Sequence, residues 1–293
     1  MTHLTKTTAN TRATAKGFTL VELVTVIIVL GVVSIGISGF VRTGVQIYAD
    51  VTEREQLLSE SHFVVERINR ELRLAIPNSS RIMVNSANTI QCIEFLPAAW
   101  TTYYTRLSVM SETTSTSTAN IVEFAFNAAN FTLNTNEDFA IVYPTSNEDV
   151  YDLGHNRRKA IEGCTVNTED GPGSCNADVS DNGIAELTFN SAFEDLSPAS
   201  RLYITRASVS YCAHASGEIY RNEDSINTAQ TVYTSGTLMA NNLNNDFTNT
   251  LEVPFQVFDA TLTRNGLVHI LLTFELNEEI IHFSREVHIP NVP

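Results

Sequence analysis

The sequence predicts an α+β protein: one long N-terminal helix, membrane-spanning in its first half, packed in its second half on an antiparallel β-sheet head with long loops. Three observations carry that prediction. Leu23 to Val41 (LVTVIIVLGVVSIGISGFV) contains no charged residue. Beyond that run, apolar residues recur every seven positions as far as Pro77. From about residue 80 the pattern becomes β-branched and aromatic segments separated by turn residues.

The uncharged run is long enough, at about 1.5 Å per residue, to cross the hydrocarbon core of a bilayer. It is preceded by a short basic leader, residues 1–17, which holds Lys6, Arg12 and Lys16 and no acid. Basic residues ahead of a span hold the N-terminus in the cytoplasm, so the head is expected on the far side. A secretory signal peptide would carry a shorter apolar region ending at a small-residue cleavage site. Here the apolar run instead continues into a helical pattern. The chain of 293 residues has 18 Lys+Arg against 33 Asp+Glu, a formal net charge of −15, and lysine after the leader occurs only at Lys159. An acidic body argues against nucleic acid as a partner, since such binding needs cations to displace counterions.

In the second half of the helix, Val51, Leu58, Val65 and Leu72 form one row, with Ile47, Ile68 and Ala75 beside it. Glu53, Arg54, Glu55, Glu60, Glu66, Arg67, Arg70, Glu71 and Arg73 make a mixed-sign solvated face, including the favourable Glu66/Arg70 spacing. Pro77 stops the helix and Asn78-Ser79-Ser80 reads as the turn. The expected organisation is therefore a leader at 1–17, a membrane or filament-core half-helix at 18–41, an amphipathic half-helix at 42–76 and a β-rich head at 77–293. Gly31, Gly36, Gly39 and Gly44 permit close helix packing and equally suit an ordinary membrane helix.

Three stretches of the head carry clear strand signals. Arg201–Ala213 (RLYITRASVSYCA) is one. Asp259–Thr263 and Leu267–Leu276 flank Arg264-Asn265-Gly266, a hairpin turn signal. Glu279–Ile289 follows a two-residue turn at Asn277-Glu278. Pairing around that turn gathers Val268, Ile270, Leu272, Phe274 and Leu276 with Ile281, Phe283, Val287 and Ile289 on a core face. His269, Thr273, Glu275, His282, Ser284, Glu286 and His288 fall on the wet face. Ser111–Asn120 and Ala240–Thr250 are polar and low in complexity and read as surface loops or β-arch insertions. The head is large enough to be one sheet domain with insertions or two β subdomains sharing an edge.

The one acid inside the wider apolar stretch Phe18–Val41 is Glu22. A carboxylate at that depth is costly unless paired, which makes it a functional position. Its surroundings, Lys16-Gly17-Phe18-Thr19-Leu20-Val21-Glu22-Leu23, resemble the prepilin signature of type IV pilins and type II secretion pseudopilins. That resemblance implies cleavage after Gly17 by an inner-membrane prepilin peptidase and methylation of the new Phe18 amine. It also implies that Glu22 pairs with the Phe18 amine of a neighbouring subunit during assembly. A buried carboxylate and a buried ammonium remain charged together where neither would alone.

The resemblance extends to minor pilin-like proteins of mannose-sensitive haemagglutinin (MSHA) pilus biogenesis. It is carried by Gly44–Tyr48, Leu57–Ser61, Phe63–Arg67, Gln91–Pro97, Asn265–Leu267 and Glu286–Pro290. What it implies is a non-enzymatic subunit without a cofactor, single-pass in the inner membrane with a periplasmic head before assembly, and in the extracellular pilus afterwards. Its partners would be other major and minor pilin subunits, the prepilin peptidase and the inner-membrane assembly platform, besides the membrane around its helix. A minor pseudopilin of a type II secretion system shares the same N-terminal features. A membrane-anchored enzyme would need a nucleophile–base pair, and the sequence shows no HExxH, GxSxG, P-loop or GxGxxG pattern. A DNA receptor would need a cationic patch. Arg157-Arg158-Lys159 is the one basic cluster, and it reads as a solvated loop.

Cys92, Cys164, Cys175 and Cys212 all follow the span and none forms CxxC, which suits an oxidising compartment. The short segment between Cys164 and Cys175 contains Gly171-Pro172-Gly173 and favours a Cys164–Cys175 bridge, leaving Cys92–Cys212. Four free thiols are the alternative. His269, His282 and His288 spread along the wet face as surface histidines. Asp178, Ser180 and Asn182 imitate the first half of a calcium loop, but the closing position falls on Phe189, which has no oxygen to give. No metal site is expected.

Overall fold

Thr19 opens the first element by capping it. In a computed structural model, residues 17–110, 117–123, 133–135, 137–165, 183–260, 264–277 and 279–290 are described. The chain divides into two units, one ending at Glu53 and one running from Arg54. Helix α1 is Leu20–Leu72. By length and composition it can cross a membrane: its most apolar window has a mean hydropathy of 2.7 and is fully exposed.

The buried stripe of α1 is Leu57, Ser61, Val64, Val65, Ile68 and Leu72. This corrects the seven-residue row. Val51 and Ile47 are exposed and Leu58 is half-buried, whereas Val65, Ile68, Leu72 and Ala75 are buried as expected. The reason is geometric: a strict seven-residue row drifts by about 20° per heptad around a straight helix. Ser61 tolerates burial because its hydroxyl donates to the Leu57 carbonyl at 2.7 Å. The helix also ends earlier than Ile76. Its last turn tightens, and Ile76 N–H donates to the Leu96 carbonyl at 2.8 Å, so tertiary pairing takes over before Pro77 acts.

The head contains two β layers and a barrel. Strands β1 (Arg81–Val84), β2 (Ile90–Phe95), β3 (Trp100–Leu107), β4 (Thr118–Val122) and β5 (Phe139–Ile141) precede a short helix, α2 (Asn147–Tyr151). Then follow β6 (Arg158–Thr165), β7 (Ile184–Phe189), β8 (Arg201–Thr205), β9 (Ser208–His214), β10 (Ile219–Asp224), β11 (Thr237–Ala240), β12 (Phe255–Phe258), β13 (Gly266–Leu276) and β14 (Glu279–Ile289). A five-stranded sheet has the order β1-β2-β9-β10-β11, a three-stranded sheet is β12-β13-β14, and β3-β4-β7-β6-β5-β8 closes into a barrel. Among the described residues every pairing of these strands is antiparallel. The architecture is α+β, as the sequence predicts.

One core joins the α1 stripe to both open sheets, with Phe95, Tyr211, Phe255, Phe274 and Ile270 at its centre. A second fills the barrel with Ile121, Ile161, Leu187, Phe193, Leu202 and Ile204. The two open sheets are tied by one side chain. Gln91 accepts from Phe255 N–H at 2.9 Å and donates to the Phe255 carbonyl at 3.1 Å, standing in for a strand neighbour.

The β13–β14 hairpin has the expected register, Leu276 opposite Glu279 around a turn whose Asn277 is left-handed (φ 51°). Its core face buries Val268, Ile270, Leu272, Phe274, Phe283, Val287 and Ile289, with Leu276 and Ile281 packed at the margin.

Four expectations are corrected. Arg201–Ala213 is two strands in different sheets, because the chain turns at Arg206, whose guanidinium grips the fully buried Asp138 at 2.7 Å. The strand paired with β13 on this side is Phe255–Phe258, with Phe258 opposite Leu267; of the expected strand Asp259–Thr263, Asp259 and Ala260 lie outside any strand and 261–263 lie outside the described residues. The polar stretch at 111–120 ends in a strand, as Thr118 begins β4. Arg157-Arg158-Lys159 is not a solvated loop: Arg158 and Lys159 lie in β6 and are buried.

Candidate functional site

The site at the N-terminus is built on a reciprocal cap. Gly17, Phe18 and Thr19 precede the helix and are exposed, Phe18 to 83%. Thr19 Oγ1 accepts from Glu22 N–H at 3.3 Å, while the Glu22 carboxylate accepts from Thr19 N–H at 3.0 Å and from its hydroxyl at 3.1 Å. Thr-x-x-Glu is thus a capping box, which fixes the first turn and places a carboxylate where the helix macrodipole favours an anion. A Cβ at Gly17 would meet nothing within 4 Å, so the fold of this chain does not demand glycine there. The chemistry available is a peptide bond, Gly17–Phe18, exposed just ahead of a capped helix, with a carboxylate one turn further on. Hydrolysis of that bond would place a primary amine near an anion already held in position.

The remaining candidates separate. Cys92 and Cys212 are directly opposed in the β2–β9 pair and are disulfide-bonded, fully buried beneath Val232 and Tyr233. Cys164 is also disulfide-bonded; Cys175 lies outside the described residues. Asp178, Ser180 and Asn182 lie outside them too. Among the described residues no group of three or more His, Cys, Asp and Glu is placed to hold a metal. The wet-face histidines have separate partners: His269 with Ser284 Oγ at 2.9 Å and His282 with Thr273 Oγ1 at 3.0 Å.

Three polar clusters escaped the sequence reading. Glu71 on α1 accepts from Arg67, from Tyr211 Oη at 3.0 Å and from Arg221 Nε at 3.1 Å, clamping the helix to the five-stranded sheet. Burial alone would raise the Glu71 carboxyl, but the bonds from Arg67 and Arg221 and the Arg221 charge outweigh it and hold it below its ordinary value. Glu94 is the converse. It pairs with Arg81 at 2.8 Å, yet burial wins and pushes its carboxyl up. Asp149 gathers Thr145, Ser146, His155 and Arg157; burial pushes its carboxyl up, and those partners pull it below the ordinary value.

The His155–Asp149 contact imitates half of a hydrolytic triad. One Asp149 oxygen is occupied in capping α2, and among the described residues no hydroxyl or thiol bonds to His155 Nε2. The cluster therefore has a structural explanation. The basic cluster is likewise held internally, although Arg158 Nε has no hydrogen-bond partner among the described residues. Arg158 donates to the Tyr151 and Ile226 carbonyls, and its burial brings its guanidinium down to about 10. Lys159 donates to Asn156 Oδ1 and Ser191 Oγ, both at 2.7 Å. Neither offers a cationic surface to nucleic acid.

Comparison with known families adds one finding. Residues 12–38 match the model described as the prokaryotic N-terminal methylation motif. That match supports a type IV pilin-like chain, a structural subunit of the pilin or pseudopilin type processed by prepilin peptidase and assembled with other pilins. With the apolar helix it points to membrane anchoring. No curated protein and no solved structure matches the chain.

Proposed function

We propose that this chain is a minor pilin-like subunit of an MSHA-type pilus, of the kind called MshO, which is not an enzyme and acts in priming and assembling the filament. The observation that carries the reading is the methylation motif set on an exposed, capped helix start with Glu22 in its first turn. In this reading the leader stays cytoplasmic and the α1 span anchors the chain in the inner membrane, with the head in the periplasm. Hydrolysis of Gly17–Phe18 frees the Phe18 amine, which is methylated. On entry to the filament, Glu22 exchanges its local cap for the Phe18 ammonium of a neighbour, so both charges leave water together. The large head, the buried Cys92–Cys212 bridge and a second bridge at Cys164, which we assign to Cys175, suit a subunit exposed to the periplasm and then to the outside. Adhesion by the assembled pilus is part of the same proposal.

The test is mass spectrometry of the mature N-terminus with filament counts in wild type and Glu22→Ala. N-methyl-Phe18 with filaments lost in the variant is the expected result. An unprocessed chain, or filaments indifferent to Glu22, would overturn the reading. Loss of protein secretion with filaments intact would instead move the chain to a type II secretion system.

A further inference from the structure

Strand β14 is an edge of unusual length for this head. It spans Glu279–Ile289 and pairs on one side with β13, without a register shift. The other sheet edges are short or closed. Strands β1, β11 and β12 have four residues each, β11 meets a bulge at Ile219/Tyr220, and Gln91 occupies the β12 edge at Phe255. Closing the hairpin at Leu276/Glu279 makes the odd-numbered residues of β14 the ones bonded to β13, since bonded and non-bonded pairs alternate along an antiparallel ladder. The N–H and C=O groups of Ile280, His282, Ser284, Glu286 and His288 therefore point outward, and none has a hydrogen-bond partner among the described residues.

Such an edge is normally blunted by proline, lysine, a bulge or an inward charge. Between Glu279 and Ile289 there is no proline, no lysine and no bulge. Two charges fall on the inward face: Glu279 beside the turn, which pairs with Arg54 at 2.9 Å, and Arg285. Arg285 lies opposite the buried Ile270, on the core face between the buried Phe283 and Val287, but it is exposed and has no ion-pair partner among the described residues. A strand added without an opposite charge would strip water from that guanidinium and leave it unpaired. A strand carrying a carboxylate beside it, flanked by apolar residues two positions either way, would satisfy Arg285 and extend the core at once.

We propose that the β14 edge receives an extended segment of another pilin-type subunit, with an acid placed to meet Arg285, joining by strand addition. This rests on the reading of the chain as a pilin-like subunit and names how its head contacts a partner. Charge complementarity selects the occupant: Arg285 makes the edge selective where it would otherwise be indiscriminate.

The test places a photo-crosslinking amino acid at His282 in the full-length chain, in cells that assemble filaments, and maps the adduct by peptide sequencing. The expected result is an adduct to a different pilin-type subunit, within an extended segment bearing Asp or Glu. Its yield should fall at least tenfold in Ser284→Pro, which deletes an outward N–H while leaving the bonds to β13, and in Arg285→Glu, but hold in Arg285→Lys. No adduct, an adduct to lipid or to another copy of this chain, or a yield indifferent to Arg285→Glu would overturn the proposal. The mature N-terminus and the Cys92–Cys212 bridge are scored in every sample. A chain correctly processed at Phe18 that shows no such adduct defeats strand addition alone, whereas an unprocessed chain defeats the pilin-like reading beneath it.

Discussion

Replacing Glu71 by glutamine removes one charge from the joint between α1 and the five-stranded sheet while keeping its shape. In the wild type, one carboxylate oxygen takes Arg67 and the other takes both Tyr211 and Arg221. The side chains of Glu71 and Arg221 are 14% and 19% exposed, so water cannot replace the lost interaction fully. Hydrogen bonds to a charged group contribute about 1.5–3 kcal/mol each against about 1 kcal/mol for neutral ones. Three bonds become neutral at one acceptor or face an amide N–H instead. The residual exposure and the freedom of Arg67 to rejoin water discount the sum, leaving a loss of about 2–3 kcal/mol at pH 7. For a domain of this size about 1 kcal/mol corresponds to about 2–4 °C in the midpoint, so a fall of roughly 4–12 °C is expected.

The pH dependence sharpens the test. Because the folded Glu71 carboxyl lies below its ordinary value of 4.5, its contribution is complete above that value and is lost as pH falls through the folded pKa. The difference between wild type and Glu71→Gln should therefore be full at pH 7 and shrink below about pH 4.5. Thermal unfolding of the full-length chain in detergent, followed by near-ultraviolet circular dichroism of its tyrosines, reads both effects. A midpoint shift under 2 °C at pH 7, or a difference that grows on acidification, would refute the clamp.

Glu94→Gln should behave in the opposite sense with pH. Its folded carboxyl is raised, so the wild type gains stability relative to the variant as pH drops through that value toward 4.5, which the same unfolding scan reports. Arg206→Ala strands the fully buried Asp138 and should cost about 2–3 kcal/mol, below the usual figure for a buried pair because Arg206 is itself 45% exposed; the single tryptophan, Trp100 in the barrel, gives the signal. Gln91→Leu leaves the Phe255 N–H and carbonyl without their partner, at about 2–3 kcal/mol, and hydrogen exchange at the Phe255 amide should accelerate. The paired substitution of Cys92 and Cys212 by alanine should lower stability by about 2–4 kcal/mol in denaturant titrations, the bridge closing a separation of 120 residues.

How far the sequence could be read follows from where each element's partners lie. The first half of α1 was legible because its apolar run is local and continuous, whereas the Thr19–Glu22 capping box, though equally local, went unread. The register of β13 on β14 was legible to the residue, since a two-residue turn leaves the alternation of Val268–Leu276 and Ile281–Ile289 only one arrangement that keeps apolar side chains on one face. The barrel was not. Strand β5 has three residues, and its partners β6 and β8 are fixed by neither periodicity nor a turn. The break within Arg201–Ala213 depends on Asp138, far away in sequence, so a stretch with uninterrupted β character changes sheets at a residue whose reason is tertiary.

The misread basic cluster carries the more general point. Buried Arg158 is held by the Tyr151 and Ile226 carbonyls, and Arg81 by those of Asn227 and Thr228 as well as by Glu94. Main-chain carbonyls are present at every residue and leave no mark on composition or charge pattern, so a search for opposite charges finds nothing beside Arg158 and concludes that it is solvated. The same blindness hid Gln91, which substitutes for a strand, and it works in reverse at β14, where the unmet main-chain groups are equally invisible in the sequence. In this head the side chains that bond to main chain join layers that hydropathy alone describes as separate. Conservative replacements there, Gln91→Leu or Arg158→Lys, should therefore disturb the fold more than larger apolar exchanges such as Leu187→Met within the barrel, where volume is kept and no polar group is orphaned.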